Sequence, residues 1–132
     1  MIMQLAEPQH MQVLSDGDVI ALRQAIRQRA RAVGLGPAQQ ARITAAISEV
    51  ARALLYGAGA GQFTIRIETG IGNRPAFEIL CAPGHGGNST DARPIYALPA
   101  VAEARALVDD TWVKSGSEGD QLLMRMWLVS SP

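Results

Sequence analysis

The sequence predicts an α/β fold, a two-layer α/β sandwich with helices packed on one face of a mixed, mostly antiparallel sheet. Three observations predict it. Two long stretches repeat apolar residues at three- and four-residue steps, several short runs alternate apolar and polar residues around turn-forming residues, and the order is strand, two helices, two strands, long loop, helix, two strands. The 132 residues suit one domain, residues 1–132, because chains of this length ordinarily build a single core.

The first strand is read at His10 to Leu14, closed by Ser15, Asp16, Gly17 and Asp18, which break the strand and supply capping oxygens. From Val19 the residues Leu22, Ile26, Ala30 and Val33 continue one apolar stripe, while Arg23, Arg27 and Arg31 recur every four residues on another face, giving a helix that ends near Gly34. Pro37 suits the first turn of a second helix, where its missing N–H has no partner to lose. That helix runs to about Tyr56 on a stripe of Ile43, Ile47, Val50 and Leu54, and the run Gly57 to Gly61 stops it. Phe63, Ile65 and Ile67 alternate with Thr64, Arg66 and Glu68 as a half-buried strand, and Ala76 to Cys81 is its hairpin partner across Gly72 to Pro75. Residues 82–94, rich in glycine and proline, form a loop longer than an ordinary connection. A helix over Leu98 to Val108 follows, then strands at Trp112 to Ser115 and Leu122 to Leu128.

Composition narrows the function. Lys plus Arg and Asp plus Glu both number 12, so no long-range field favours phosphate backbones or anionic lipid. Two Trp, two Tyr and two Phe leave few platforms for stacking bases, and nucleic acid is not an expected partner. No apolar run reaches the roughly 18 residues of a membrane span. The single Cys81 and the lack of a basic-then-apolar leader point to a reducing, cytoplasmic setting.

At the second helix the chain resembles the GHKL, or Bergerat-fold, ATPases, in particular the small bacterial serine kinases that act as anti-sigma factors or as switch kinases in stress signalling. The resemblance is carried by Gln40-Ala41-Arg42-Ile43-Thr44-Ala45-Ala46-Ile47-Ser48-Glu49-Val50-Ala51-Arg52 with Leu55-Tyr56-Gly57, by Leu98-Pro99-Ala100-Val101, by Arg105 to Asp109, and by Met124 to Leu128. It spans most of the chain.

The resemblance implies a Mg-ATP site with defined parts, and several are replaced here. Glu49 matches the family's helix glutamate, which serves as a general base or orients the attacking group; one turn on, the asparagine that ligates magnesium is Ala53. The Asp-x-Gly-x-Gly motif aligns with Ala82-Pro83-Gly84-His85-Gly86, so both Gly84 and Gly86 survive while the adenine-reading aspartate is Ala82. Aligning Leu98-Pro99 with the end of the ATP lid puts Ile95 and Ala97 where glycines belong. The scaffold is kept and the pocket altered at three separate places. Glu49 is then a relic catalytic base, and no bound cofactor is expected; ATP and Mg are the cofactors if the site works.

Other candidates have bland readings beside the chemical ones. Glu49 can pair with Arg52 at the rim, and that structural role is favoured over catalysis. His85 in the loop reads as an exposed histidine, His10 has no ligand-spaced Cys or His near it, and no metal site is expected. Cys81 reads as a core residue. The row of Arg23, Arg27 and Arg31 is balanced between a solvated face and a surface that receives an acidic partner element.

The expectation is therefore a regulator of a partner-switching pathway that works by protein–protein contact, with an impaired ATP site. The resemblance implies a STAS-type anti-sigma-factor antagonist, a sigma factor or a phosphatase as partner, and allows a homodimer. Two competing readings stand beside it: an active serine/threonine kinase that phosphorylates a STAS domain, with Glu49 as base and ligands such as Asn88 or Asp91, and a small-molecule sensor with a remodelled, more apolar cavity.

Overall fold

The computed structural model describes residues 7–71, 74–84, 98–116 and 119–128. Its elements run β1 (Gln9–Val13), α1 (Asp16–Ala32), α2 (Pro37–Ala58), β2 (Gly61–Ile71), β3 (Arg74–Pro83), α3 (Pro99–Arg105), β4 (Asp110–Gly116) and β5 (Gly119–Trp127). The expected order is the observed one, and the fold class is the α/β sandwich that the sequence predicts.

Local chemistry sets the helix boundaries. Ser15 caps α1 by accepting from the Asp18 backbone N–H at 3.2 Å, while Asp18 Oδ2 accepts from Leu14 N at 2.8 Å and fixes the turn out of β1. Asp16 and Asp18 sit in the first turn of α1, and Arg29 and Arg31 in the last, each on the favourable side of the helix dipole. Helix α2 starts at Pro37, with Gln39 Oε1 accepting from Gly36 N at 3.0 Å, and ends at Gly59 in the left-handed region at φ 82°. Helix α3 stops three residues before the expected Val108. Ala106 and Leu107 donate to carbonyls only three residues back, and Asp109 N donates to Arg125 O at 3.0 Å, which draws the chain onto β5.

All five strands pair antiparallel, in the order β1-β2-β3-β5-β4. The strands reach further than the apolar alternation alone indicates, since backbone pairing continues from Gly61 opposite Pro83 and from Gly116 opposite Gly119. The helices cover one face. Phe63, Ile65, Phe77, Ile79, Leu122, Met124 and Met126 point there and pack with Leu22, Ile26, Ile43, Ile47, Val50 and Leu54 into one buried cluster.

The other face carries no helix among the described residues, and its centre is nevertheless buried. Strand alternation places Arg66, Glu78, Arg125 and Asp110 in one cross-strand row and His10, Thr64, Leu80, Leu123 and Trp112 in the next. Glu78 is fully buried, receiving Arg66 Nε at 3.0 Å on one carboxylate oxygen and Arg125 on the other. The Arg125 guanidinium lies between the rings of Trp112, at 4.3 Å, and Trp127, at 5.0 Å, and Arg74 stacks on Trp127 at 4.6 Å. This layer of arginine and tryptophan covers the strands that the helices leave open.

Candidate functional site

Helix α2 is the backbone of the candidate site. Its buried residues Ile43, Ala46, Ile47, Val50 and Leu54 fasten it to the sheet, and the packing leaves Glu49 and Ala53 half-buried one helical turn apart. The Glu49 carboxylate lies 3.5 Å from Arg52 Nη1, with both side chains nearly half exposed. That is the rim pairing the sequence allows, and ion pairs this exposed hold little energy. Ala53 offers only a methyl group.

The second motif lies at the end of β3, and the structure divides it between the two faces. Cys81 points into the core, where burial pushes its thiol pKa up and keeps it protonated. Ala82 pairs with Gln62, which itself pairs with Gln12, so it belongs to the face opposite the helices. The structure therefore does not bring Ala82 onto the helix-covered face with α2.

Gly84 has a packing role that the sequence motif did not reveal. Its N–H donates to Ala60 O at 2.8 Å, and a Cβ built on it meets Ala60 Cβ at 2.7 Å and Gly61 N at 3.1 Å. Only a glycine lets the chain leaving β3 run so close to the junction of α2 and β2. Gly86, Ala97, Ile95, His85, Asn88 and Asp91 lie outside the described residues.

A second feature lies between α1 and α2. Ile20, Arg23, Gln24 and Arg27 of α1 and Thr44 of α2 line a concavity of about 210 Å³. Ile20 is 57% exposed, and Leu14 and Tyr56 are exposed as well. Thr44 Oγ1 and Ser48 Oγ are buried without a hydrogen-bond partner among the described residues. Two of the three arginines of the row thus border an open groove that also holds an apolar anchor and a buried hydroxyl. Separately, Tyr56 donates to Asp16 Oδ1 at 2.6 Å, tying the end of α2 to the start of α1.

His10 lies on the open face of the sheet with Nδ1 3.0 Å from Thr64 Oγ1. Among the described residues no group of three or more metal-ligating side chains occurs, and no helix is long and apolar enough to cross a membrane. Sequence reasoning missed the Glu78 cluster. Its signal was there to read, because a carboxylate inside the apolar run Ala76 to Cys81 and an arginine between Met124 and Met126 put charges on central strands.

The five-stranded antiparallel sheet with α2 and α3 on one face defines the class, a histidine-kinase-like α/β sandwich. The crystal structure of the RsbU and RsbW domains of Rv1364c from Mycobacterium tuberculosis has the same fold, with a TM-score of 0.61 at 15% identity over 92% of this chain. The match spans about a third of that longer chain, 32%. No protein-family model matches the sequence. The serine/threonine-protein kinase RsbT of Bacillus subtilis is 32% identical over 127 residues, covering 88% of this chain and 93% of the relative. The chain belongs to the family of RsbT, the GHKL-type switch serine kinases.

Proposed function

We propose that this chain is a partner-switching regulator that works by binding a protein partner, with an ATP site that no longer supports efficient phosphate transfer. The observation that carries the reading is on α2: one turn beyond Glu49 stands Ala53, which has no oxygen for a magnesium ion. In a working kinase of this family, Mg-ATP supplies the γ-phosphoryl group and the metal that neutralises it. The residues here do not match that donor set. Ala82 brings no carboxylate and sits on the other face of the sheet, and Gly84 is held against Ala60.

The relative is named a serine/threonine-protein kinase, and the solved neighbour contains RsbU and RsbW domains, which supports a place among signalling proteins that act on other proteins. The partner we assign is a STAS-type antagonist domain, and the groove between α1 and α2 supports such contact. Arg23 and Arg27 attract carboxylates, and Ile20 offers an apolar anchor at the same spot.

Titration calorimetry with Mg-ATP, combined with a phosphate-transfer assay on a STAS-domain serine, tests the reading. The expected result is no saturable binding in the micromolar range and no transfer. Micromolar binding with stoichiometric phosphorylation overturns it.

One observation favours the second reading, an active kinase. Glu49 is present and half exposed, so a substrate hydroxyl can reach it. Under that reading Glu49→Ala abolishes phosphorylation while the thermal melt stays unchanged.

A further inference from the structure

The groove between α1 and α2 gathers hydrogen-bond donors and no acid. Arg23, Gln24, Arg27 and Thr44 all carry donors, and no carboxylate lines the groove among the described residues. Arg23 and Arg27 stand one turn apart on the exposed side of α1, and neither guanidinium has a hydrogen-bond or ion-pair partner among the described residues. They are a local exception in a chain of zero net charge, since Arg52, Arg66 and Arg125 are each paired with a carboxylate. Thr44, 2% exposed, lines the groove from the α2 side, and its Oγ1 is buried without a partner among the described residues. A buried hydroxyl costs stability until an acceptor or donor completes it.

The donors come from both walls, two arginines from α1 and a hydroxyl from α2, so they surround an anion rather than flank it. A carboxylate has two oxygens, which two guanidinium groups fill. A phosphoryl group has three, and its charge of about −1.5 to −2 at pH 7 balances two arginines. The concavity, about 210 Å³, is smaller than the roughly 300–1,000 Å³ of cofactor-sized pockets, so it suits a single side chain and not a nucleotide. With about 3.6 residues per turn, Ala53 falls on roughly the opposite side of α2 from Thr44, which separates the groove from the altered ATP site. We infer that this groove binds a phosphorylated serine or threonine side chain of a protein partner.

A protein, rather than a free ion or a lipid headgroup, is the source that the surroundings favour. Ile20, 57% exposed, borders the same groove and offers an apolar contact that a free ion does not use. The formal net charge of zero gives no long-range attraction to an anionic membrane. The inference rests on the reading of the chain as a partner-binding regulator and adds the chemical signal to it: the partner is held in its phosphorylated form.

The experiment titrates the full chain with a short leucine-flanked phosphoserine peptide and with the same peptide carrying serine or glutamate instead. Backbone amide shifts in nitrogen–proton correlation spectra locate the binding. The phosphoserine peptide is expected to bind at least about tenfold tighter than the glutamate one, with shifts centred on residues 20–27 and 44–48. Arg23→Gln and Arg27→Gln, both at exposed positions, are each expected to weaken it about tenfold, and Thr44→Val severalfold with the fold retained. Mg-ATP is expected not to displace the peptide. Equal affinity for the phosphoserine and glutamate peptides, shifts centred elsewhere, or no binding of the phosphoserine peptide overturns the inference. Sedimentation with phosphatidic acid vesicles in the absence of phosphopeptide binding also overturns it, in favour of a lipid site. Because no nucleotide is needed for the titration, its failure leaves the non-catalytic reading standing, and phosphate transfer to a STAS serine sinks that reading without touching the peptide result.

Discussion

Arg125 lies across the β3–β5 ladder from Glu78 and donates through Nε to Glu78 Oε2 at 2.5 Å, with both residues withdrawn from water on the sheet face opposite α1 and α2. Glu78 also holds Arg66, so one carboxylate satisfies two guanidinium groups, and the tryptophans complete the cover. The expensive event for such a cluster is loss of one member. Glu78→Gln strands Arg125, which is 7% exposed, and is expected to lower stability by about 3 kcal/mol. A combined Glu78→Leu and Arg125→Met change, which removes the cluster's central pair together, is expected to cost less than Glu78→Gln alone. Urea denaturation midpoints of the two variants check the order.

Gly84→Ala drives a methyl group into Ala60, at 2.7 Å from its Cβ. Overpacking of this kind costs about 1–3 kcal/mol. Adding Ala60→Gly should recover part of the loss, because the nearest of the contacts is with the Ala60 side chain. A thermal melt of the single and double variants measures both effects.

Glu49→Gln is expected to leave the unfolding free energy from urea denaturation within about 0.5 kcal/mol of native, since the Arg52 pair is nearly half exposed and screened by solvent. A larger loss would mean that Glu49 is structurally committed beyond the pair with Arg52. The substitution therefore separates folding from any chemistry at this position, and it should be made before the phosphorylation assay is interpreted.

Thr44→Val replaces a buried hydroxyl that has no hydrogen-bond partner among the described residues. Removing an unsatisfied polar atom of similar shape is expected to be neutral or to stabilise by up to about 1 kcal/mol, which a shift in denaturation midpoint reads directly.

Tyr56 provides a pH signature. Its hydrogen bond to Asp16, joined by repulsion from the same carboxylate, raises its pKa above the ordinary 10.0. Because the folded value is the higher one, the tether contributes fully below the unfolded pKa and is lost as pH rises through the folded value. Ultraviolet titration of tyrosinate should show one tyrosine ionising late in the native chain. Asp16→Asn should move that component down in pH.

Much of the fold could be read from spacing. The three- and four-residue apolar steps through Val19, Leu22, Ile26 and Ala30 and through Ile43, Ile47, Val50 and Leu54 place both long helices within a few residues of their ends, because burial of one stripe is what stabilises each helix. The end of α3 was not legible. Residues 106–109 are helix-compatible by themselves, and it is the bond from Asp109 N to Arg125 O that pulls them out. The site was legible in type more than in place. The residues at positions 49, 53 and 82 follow from the motif, but the face on which Ala82 falls depends on the ladder with Gln62 and Gln12, which a motif does not encode. The role of Gly84 was hidden for the same reason, since its close neighbour Ala60 belongs to another element.

The strand order has a consequence for how the chain tolerates change. Strands β2 and β3 form one hairpin and β4 and β5 another, and within the described sheet the two are joined where β3 meets β5. Closing that junction requires the segment between Pro83 and Asp110 to bring its ends together, and doubling such a connection adds only about 0.6 kcal/mol of entropy. Added length in this connection therefore carries little entropic penalty, whereas substitutions at Gly84, Val101 or Ala104 within it disturb packing. A chain built this way can drift in its chemistry while the platform beneath it stays whole.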